Sequence, residues 1–162
     1  MNKQEIYALL DAGDIWHEVT EHRAVYNMEE AAGISLPYPE SEAKNLFVRD
    51  DKRRSYYLIT VKGDKRVDLK AFRQQHHTRA LSFASAGELM DLLGLLPGAV
   101  TPLGLLHDRE GRVAFWLDWA FLDPPGLIGV HPNDNTATVW LKTEDLLHLL
   151  EGNGTKIALF DA

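Results

Sequence analysis

The stretch "LIGVHPNDNTATVWL", residues 127–141, decides how the chain is read. Its two ends, "LIGVH" and "TATVWLK", are rich in β-branched and apolar residues and read as strands. Between them lies a polar cluster, His131-Pro132-Asn133-Asp134-Asn135-Thr136. Proline, asparagine and aspartate are turn formers, so the cluster reads as a surface turn joining two strands. A histidine before proline is also pushed towards extended backbone, and the same residues can form the wall of a site. What the rest of the chain brings opposite them decides between the two.

Outward from this stretch, strands and helices are interspersed without a regular strand–helix–strand rhythm. "AKNLFVRD" (43–50) and "RSYYLITVKG" (54–63) read as strands joined by a charged turn, and "GRVAFWLDWAFLD" (111–123) as a strong strand. "IWHEVTEH" and "ALSFA" are shorter candidates, and "KIALF" a last edge strand. Helices are expected over "NKQEIYALLDAG", with Ile6, Leu9 and Leu10 on one face, and over "NMEEAAG", capped by Asn27 and stopped at Gly33. "DLKAFRQQHH" has Asp68 as its cap, and "SAGELMDLLG" has Ser85 and Glu88 in capping-box spacing with Gly94 at its end. "TEDLLHLLEGNG" has Thr143 as the expected cap. The pattern predicts a single α+β domain over residues 1–162 with a bent antiparallel or mixed sheet.

Composition narrows the chemistry. The chain has 162 residues, 45% of them apolar, and no cysteine, which removes disulfides, thiol nucleophiles and thiolate metal sites together. The N-terminal stretch is not expected to be a signal peptide, no apolar run approaches a membrane span, and a cytoplasmic setting is expected. Net charge is −7, yet residues 44–79 hold 11 of the 17 Lys and Arg with only four Asp. That segment is therefore +7 and the remainder −14. Such asymmetry marks either a solvated hairpin and helix or a local contact with a polyanion. An acidic body excludes broad coating of nucleic acid, which needs many phosphate contacts.

The seven histidines show no metal-binding spacing, and no serine elbow, P-loop or dinucleotide fingerprint is present, so no metal or cofactor is expected. Three features stand out. Lys44-Asn45 opens an apolar strand, where an ammonium can hold a phosphate as a point charge or snorkel at a sheet edge. Gly98-Ala-Val-Thr-Pro102 pairs a free backbone with a fixed one, either to present backbone groups to a small polar substrate or as an ordinary loop. The third is the opening cluster.

Four segments, "EHRAVYNMEEA", "AKNLFVRD", "LLPGAVTPLGLL" and "GVHPNDNTATVWL", fall in the order and spacing of the YbaK/ProX aminoacyl-tRNA deacylase superfamily, which the chain resembles from about Trp16 to Leu150. The branch it is most similar to is the freestanding ProX (PrdX) group, itself similar to the editing domain inserted in bacterial prolyl-tRNA synthetases. The resemblance implies a curved mixed sheet, a partial barrel, flanked by helices. It implies hydrolysis of alanine mischarged on tRNA(Pro) in trans, without a cofactor. The acceptor end of that tRNA is the implied partner, with a transient prolyl-tRNA synthetase contact and no membrane. By the same resemblance Lys44 grips a phosphate near the tRNA 3′ end, with Asn45 beside it. The backbone from Gly98 to Pro102 positions the aminoacyl group and water. His131, Pro132, Asn135 and Thr136 border the pocket. His22 matches the family's early histidine, although Arg23 stands where many relatives have proline.

An aminoacyl ester is already activated, so its hydrolysis needs a positioned water more than a nucleophile. Selection by size in a second site then removes what a synthetase cannot reject, since one methylene is worth about 1–3 kcal/mol. Leu58, Ile59 and Val130 are the expected lining of a small apolar pocket that admits alanine and excludes proline. His131 is either a general base or a group that shapes the pocket. Two alternatives stay open: the same reaction on cysteinyl or seryl esters, and a non-catalytic module that holds tRNA ends or an amino acid.

Overall fold

A computed structural model describes residues 1–24 and 33–162. The helix expected over "NMEEAAG" falls almost wholly outside them. Two sheets organise the chain. The smaller has the order β1-β7-β6, all antiparallel, from β1 (His17–Glu21), β7 (Ala137–Lys142) and β6 (Leu127–Val130). The larger has the order β4-β2-β3-β5-β8, from β2 (Ala43–Asp50), β3 (Tyr56–Lys62), β4 (Leu81–Phe83), β5 (Val113–Asp118) and β8 (Ile157–Phe160). Here β2 runs antiparallel to β3 and β4, whereas β3, β5 and β8 are mutually parallel. One parallel bridge, Glu42 to Gly129, joins the sheets. The curvature expected of a partial barrel thus comes from two sheets meeting at a corner and not from a closed ring.

Alternation along β2 and β3 explains why the larger sheet is covered on both faces. Phe47, Tyr56 and Leu58 point into the main core, with Leu10, Leu93, Leu105, Phe115 and Leu141. Val48, Ile59 and Val61 point the other way, onto Phe72 and Phe160. Phe72 belongs to α2 (Leu69–His76), which closes that second face. Helices α1 (Lys3–Ala12), α3 (Ala86–Leu93) and α4 (Thr143–Gly152) bury Ile6, Leu89 and Leu146 in the main core.

Local chemistry sets the element ends. Asp68 caps α2 by accepting the Lys70 and Ala71 N–H groups, and Ser85 with Glu88 forms the expected capping box on α3. Gly94 ends α3 in the left-handed region. Two expectations change. The strand read over 111–123 stops at Asp118, whose carboxylate caps the 3-10 turn Trp119–Leu122 through the Ala120 N–H. Thr143 is the first residue of α4 and not its cap; its buried hydroxyl donates to the Phe121 carbonyl at 2.8 Å. Among the described residues no helix is long and apolar enough to cross a membrane.

Candidate active site

The corner where the two sheets meet opens into a cavity of about 240 Å³. Its wall on the larger sheet is Ala43 and Asn45, with Glu42 just ahead of β2. From the smaller sheet come Gly129 and Val130 of β6, His131 beyond it, and Thr138 of β7. Gly98 and Val100, from the loop after α3, complete the lining. Sites for drug-sized ligands run to about 300–1,000 Å³, so this one takes a single small group.

Each polar group is fixed from behind. Asn45 Oδ1 accepts the Thr60 hydroxyl at 2.6 Å, across the paired strands, which leaves its NH₂ to donate. His131 Nδ1 lies 2.9 Å from the Ala137 carbonyl; a carbonyl only accepts, so the proton is on Nδ1 and Nε2 of the neutral ring is an acceptor. His22 repeats the arrangement. Its Nδ1 donates to the Arg23 carbonyl at 2.8 Å, and its Nε2 sits 2.9 Å from the Thr138 hydroxyl. In the neutral tautomer Thr138 therefore donates to His22 and turns oxygen lone pairs to other partners. The two imidazoles meet edge to face, 6.1 Å apart. Gly98 has φ of +91°, a conformation that favours glycine, and brings bare backbone to the cavity rim.

Burial shapes the charges. Desolvation lowers the His131 pKa from its ordinary 6.5, against the opposing Ala137 hydrogen bond, so the ring is neutral at pH 7. Glu42 is raised from 4.5, chiefly by desolvation, with nearby His22 pulling the other way.

The structure brings together Asn45, Gly98, Val130 and His131, as expected. The opening cluster is a turn and a wall at once. Asp134 accepts the Thr136 N–H at 2.8 Å and its hydroxyl at 2.5 Å, while His131 at the head of the turn faces the cavity. Thr136 and Asn135 are not lining residues; Thr136 also accepts from Lys3 and, through its carbonyl, from the His22 N–H. Pro102 is buried at the start of the 3-10 turn Pro102–His107, where it anchors the loop without reaching the cavity. Leu58 is fully buried in the main core and Ile59 lies on the opposite face, so neither forms the pocket floor expected of them. Lys44 sits between two lining residues, and alternation turns its side chain to the other face. There its ammonium donates to the Lys65 carbonyl at 3.3 Å.

Glu42, Ala43, Gly129 and Thr138 were not anticipated; Val100 lies within the Gly98–Pro102 loop that was. Gly129 carries a legible signal, a glycine inside a strand, which marks close backbone approach. A Cβ there would overlap the Trp140 ring that packs across it. Beside the cavity, and sharing Glu42 with it, runs an open groove of about 580 Å³ lined by Pro39, Glu40, Lys62, Gly63, Asp64 and Lys65.

Comparison with known proteins places the chain. Residues 22–149 match the family model described as the aminoacyl-tRNA editing domain. A "Prolyl-tRNA editing protein ProX" of Acetoanaerobium sticklandii is 39% identical over 152 residues, 94% of this chain and 92% of its own length. A "Prolyl-tRNA synthetase associated domain-containing protein 1" of Mus musculus is 34% identical over 155 residues, covering 94% and 91%. Among solved structures, a proposed trans-editing enzyme for prolyl tRNA synthetase superposes with a TM-score of 0.68 at 21% identity, covering 99% of this chain and 96% of that one.

Proposed function

The chain belongs to the aminoacyl-tRNA editing domain family, and from that premise we propose that it is a trans-editing hydrolase that clears alanine from mischarged tRNA(Pro). The observation that carries this reading is the cavity. It is small, and Ala43, Val100 and Val130 line it together with groups that accept or donate hydrogen bonds. The aminoacyl group enters, and the terminal adenosine stays outside in the adjoining groove.

Water adds to the ester carbonyl, the charge moves to the carbonyl oxygen, and the ribose oxygen leaves with a proton. Gly98 backbone and the Asn45 amide are the donors available to the developing oxyanion. The vicinal ribose hydroxyl assists the water. His131, neutral and held by Ala137, orients water through Nε2 as an acceptor. Lys44 stands outside the cavity. It gives up the Lys65 carbonyl for a phosphate of the acceptor end, exchanging a neutral acceptor for a charged one. A transient contact with prolyl-tRNA synthetase belongs to the same proposal.

The test is single-turnover deacylation of Ala-tRNA(Pro) by wild type, Lys44→Ala and His131→Ala. Lys44→Ala is expected to lose at least tenfold, mainly in KM. His131→Ala is expected to lose at least tenfold in the first-order rate at saturation. Wild-type rates in both variants would remove these roles.

A further inference from the structure

Glu42 is a carboxylate in a wall that is otherwise neutral at pH 7 among the described residues. Its backbone is pinned where the sheets join: its carbonyl accepts the Gly63 N–H at 2.9 Å, its N–H donates to Pro39 at 3.4 Å, and it bridges Gly129. Among the described residues, the lysines around it are engaged elsewhere. Lys62 donates to the Glu40 carbonyl, Lys65 pairs with buried Asp118 at 2.8 Å, and Lys44 holds the Lys65 carbonyl. Among the described residues no salt bridge holds its carboxylate, and desolvation outweighs the pull of nearby His22, so its pKa is raised.

We propose that Glu42 receives the α-ammonium group of the aminoacyl ester and makes the site selective for esters that carry a free amino group. This rests on the deacylase reading above and deepens it. The ammonium lies two bonds from the ester carbonyl carbon. An acyl group that enters the cavity from the shared groove, its ester bond trailing towards the adenosine, therefore carries its positive charge past the Glu42 wall. The contact is a charge-assisted hydrogen bond in a partly desolvated place, worth about 10- to 100-fold in preference. It also fixes the rotation of the acyl group, so that the methyl faces Ala43, Val100 and Val130.

The experiment compares Ala-tRNA(Pro) with lactyl-tRNA(Pro), in which a hydroxyl replaces the ammonium at nearly equal size. Each kcat/KM is divided by the uncatalysed hydrolysis of that ester. Acceptor microhelices ending in non-hydrolysable 3′-alanylamido or 3′-lactylamido adenosine serve as competing inhibitors, which reads binding where lactyl turnover is slow. Wild type is expected to favour the alanyl member of both pairs by tenfold or more. Glu42→Gln, folded by thermal melt, is expected to bring both ratios close to one through loss on the alanyl side alone. Unchanged ratios in Glu42→Gln overturn the inference; if both esters slow equally, Glu42 acts instead as a base. A wild type inactive on every aminoacyl ester overturns the deacylase reading, and this inference with it.

Discussion

Histidine 131 shows how one residue can hold shape and chemistry together. Its Nδ1 proton is spent on Ala137, and burial keeps the ring neutral. The folded pKa lies below the unfolded value of 6.5, so the unfolded chain takes the proton first. This contribution to stability is intact above pH 6.5 and declines as pH falls from there to the folded pKa. Glu42 carries the opposite sign: its folded pKa is raised, so folding is favoured as pH falls through that value towards 4.5. Denaturant midpoints of wild type minus His131→Gln, taken from pH 8 to pH 5, should therefore isolate a decline that begins near 6.5. Under the proposed mechanism kcat/KM has an acid limb centred below 6.5. Gly129 is the other telling residue. Trp140 is fully buried, its indole donating to Thr20 at 3.0 Å, and has nowhere to retreat from a methyl group. Gly129→Ala should cost about 3 kcal/mol in chemical denaturation, the upper range for overpacking.

At the scale of elements, α3 is bolted to the larger sheet through one carboxylate. Burial alone would raise Glu88. Hydrogen bonds from Tyr56 at 2.6 Å, Ser85 and Arg49 outweigh that and hold it at about 2. The folded value is below the unfolded 4.5, so this stability is present above pH 4.5 and lost between 4.5 and about 2. Glu88→Gln should lower stability by about 2 kcal/mol at pH 7 and flatten the acid limb of a thermal melt series. The α3 cap was legible because capping boxes are local in sequence, as were the Asp68 cap and the β2–β3 pairing. Thr143 misled because its buried neighbour, Phe121, comes from a distant turn. In the site, Asn45, Gly98, Val130 and His131 announced themselves by residue type and by the family's pattern. Glu42 and Thr138 did not: one precedes a strand, the other faces the cavity only because of strand parity, and parity is settled by pairing. Leu58 was misplaced for the same reason.

Taken whole, the molecule is acidic, with 11 of its 17 Lys and Arg in residues 44–79, a segment that the fold then divides. Lys62 ends β3, and Lys65 and Arg66 follow it at the cavity end, whereas Lys52, Arg53 and Arg54 sit in the hairpin turn at the other end of β2. Of these, Lys62 and Lys65 line the groove. The protein should therefore engage very few phosphates. The logarithm of its affinity for Ala-tRNA(Pro), plotted against the logarithm of salt concentration, should have a slope of about −1 to −2. A slope several-fold steeper would mean that the hairpin turn also lies on tRNA. Under the proposed function, selection by size takes place in the corner between the two sheets. The most direct measurement is single-turnover deacylation by the wild-type protein of tRNA(Pro) charged with alanine, cysteine, serine or proline. The account predicts rapid loss of alanine and persistence of proline. Preferential loss of cysteine or serine would contradict the alanine assignment, and tRNA binding without hydrolysis of any ester would contradict the central claim.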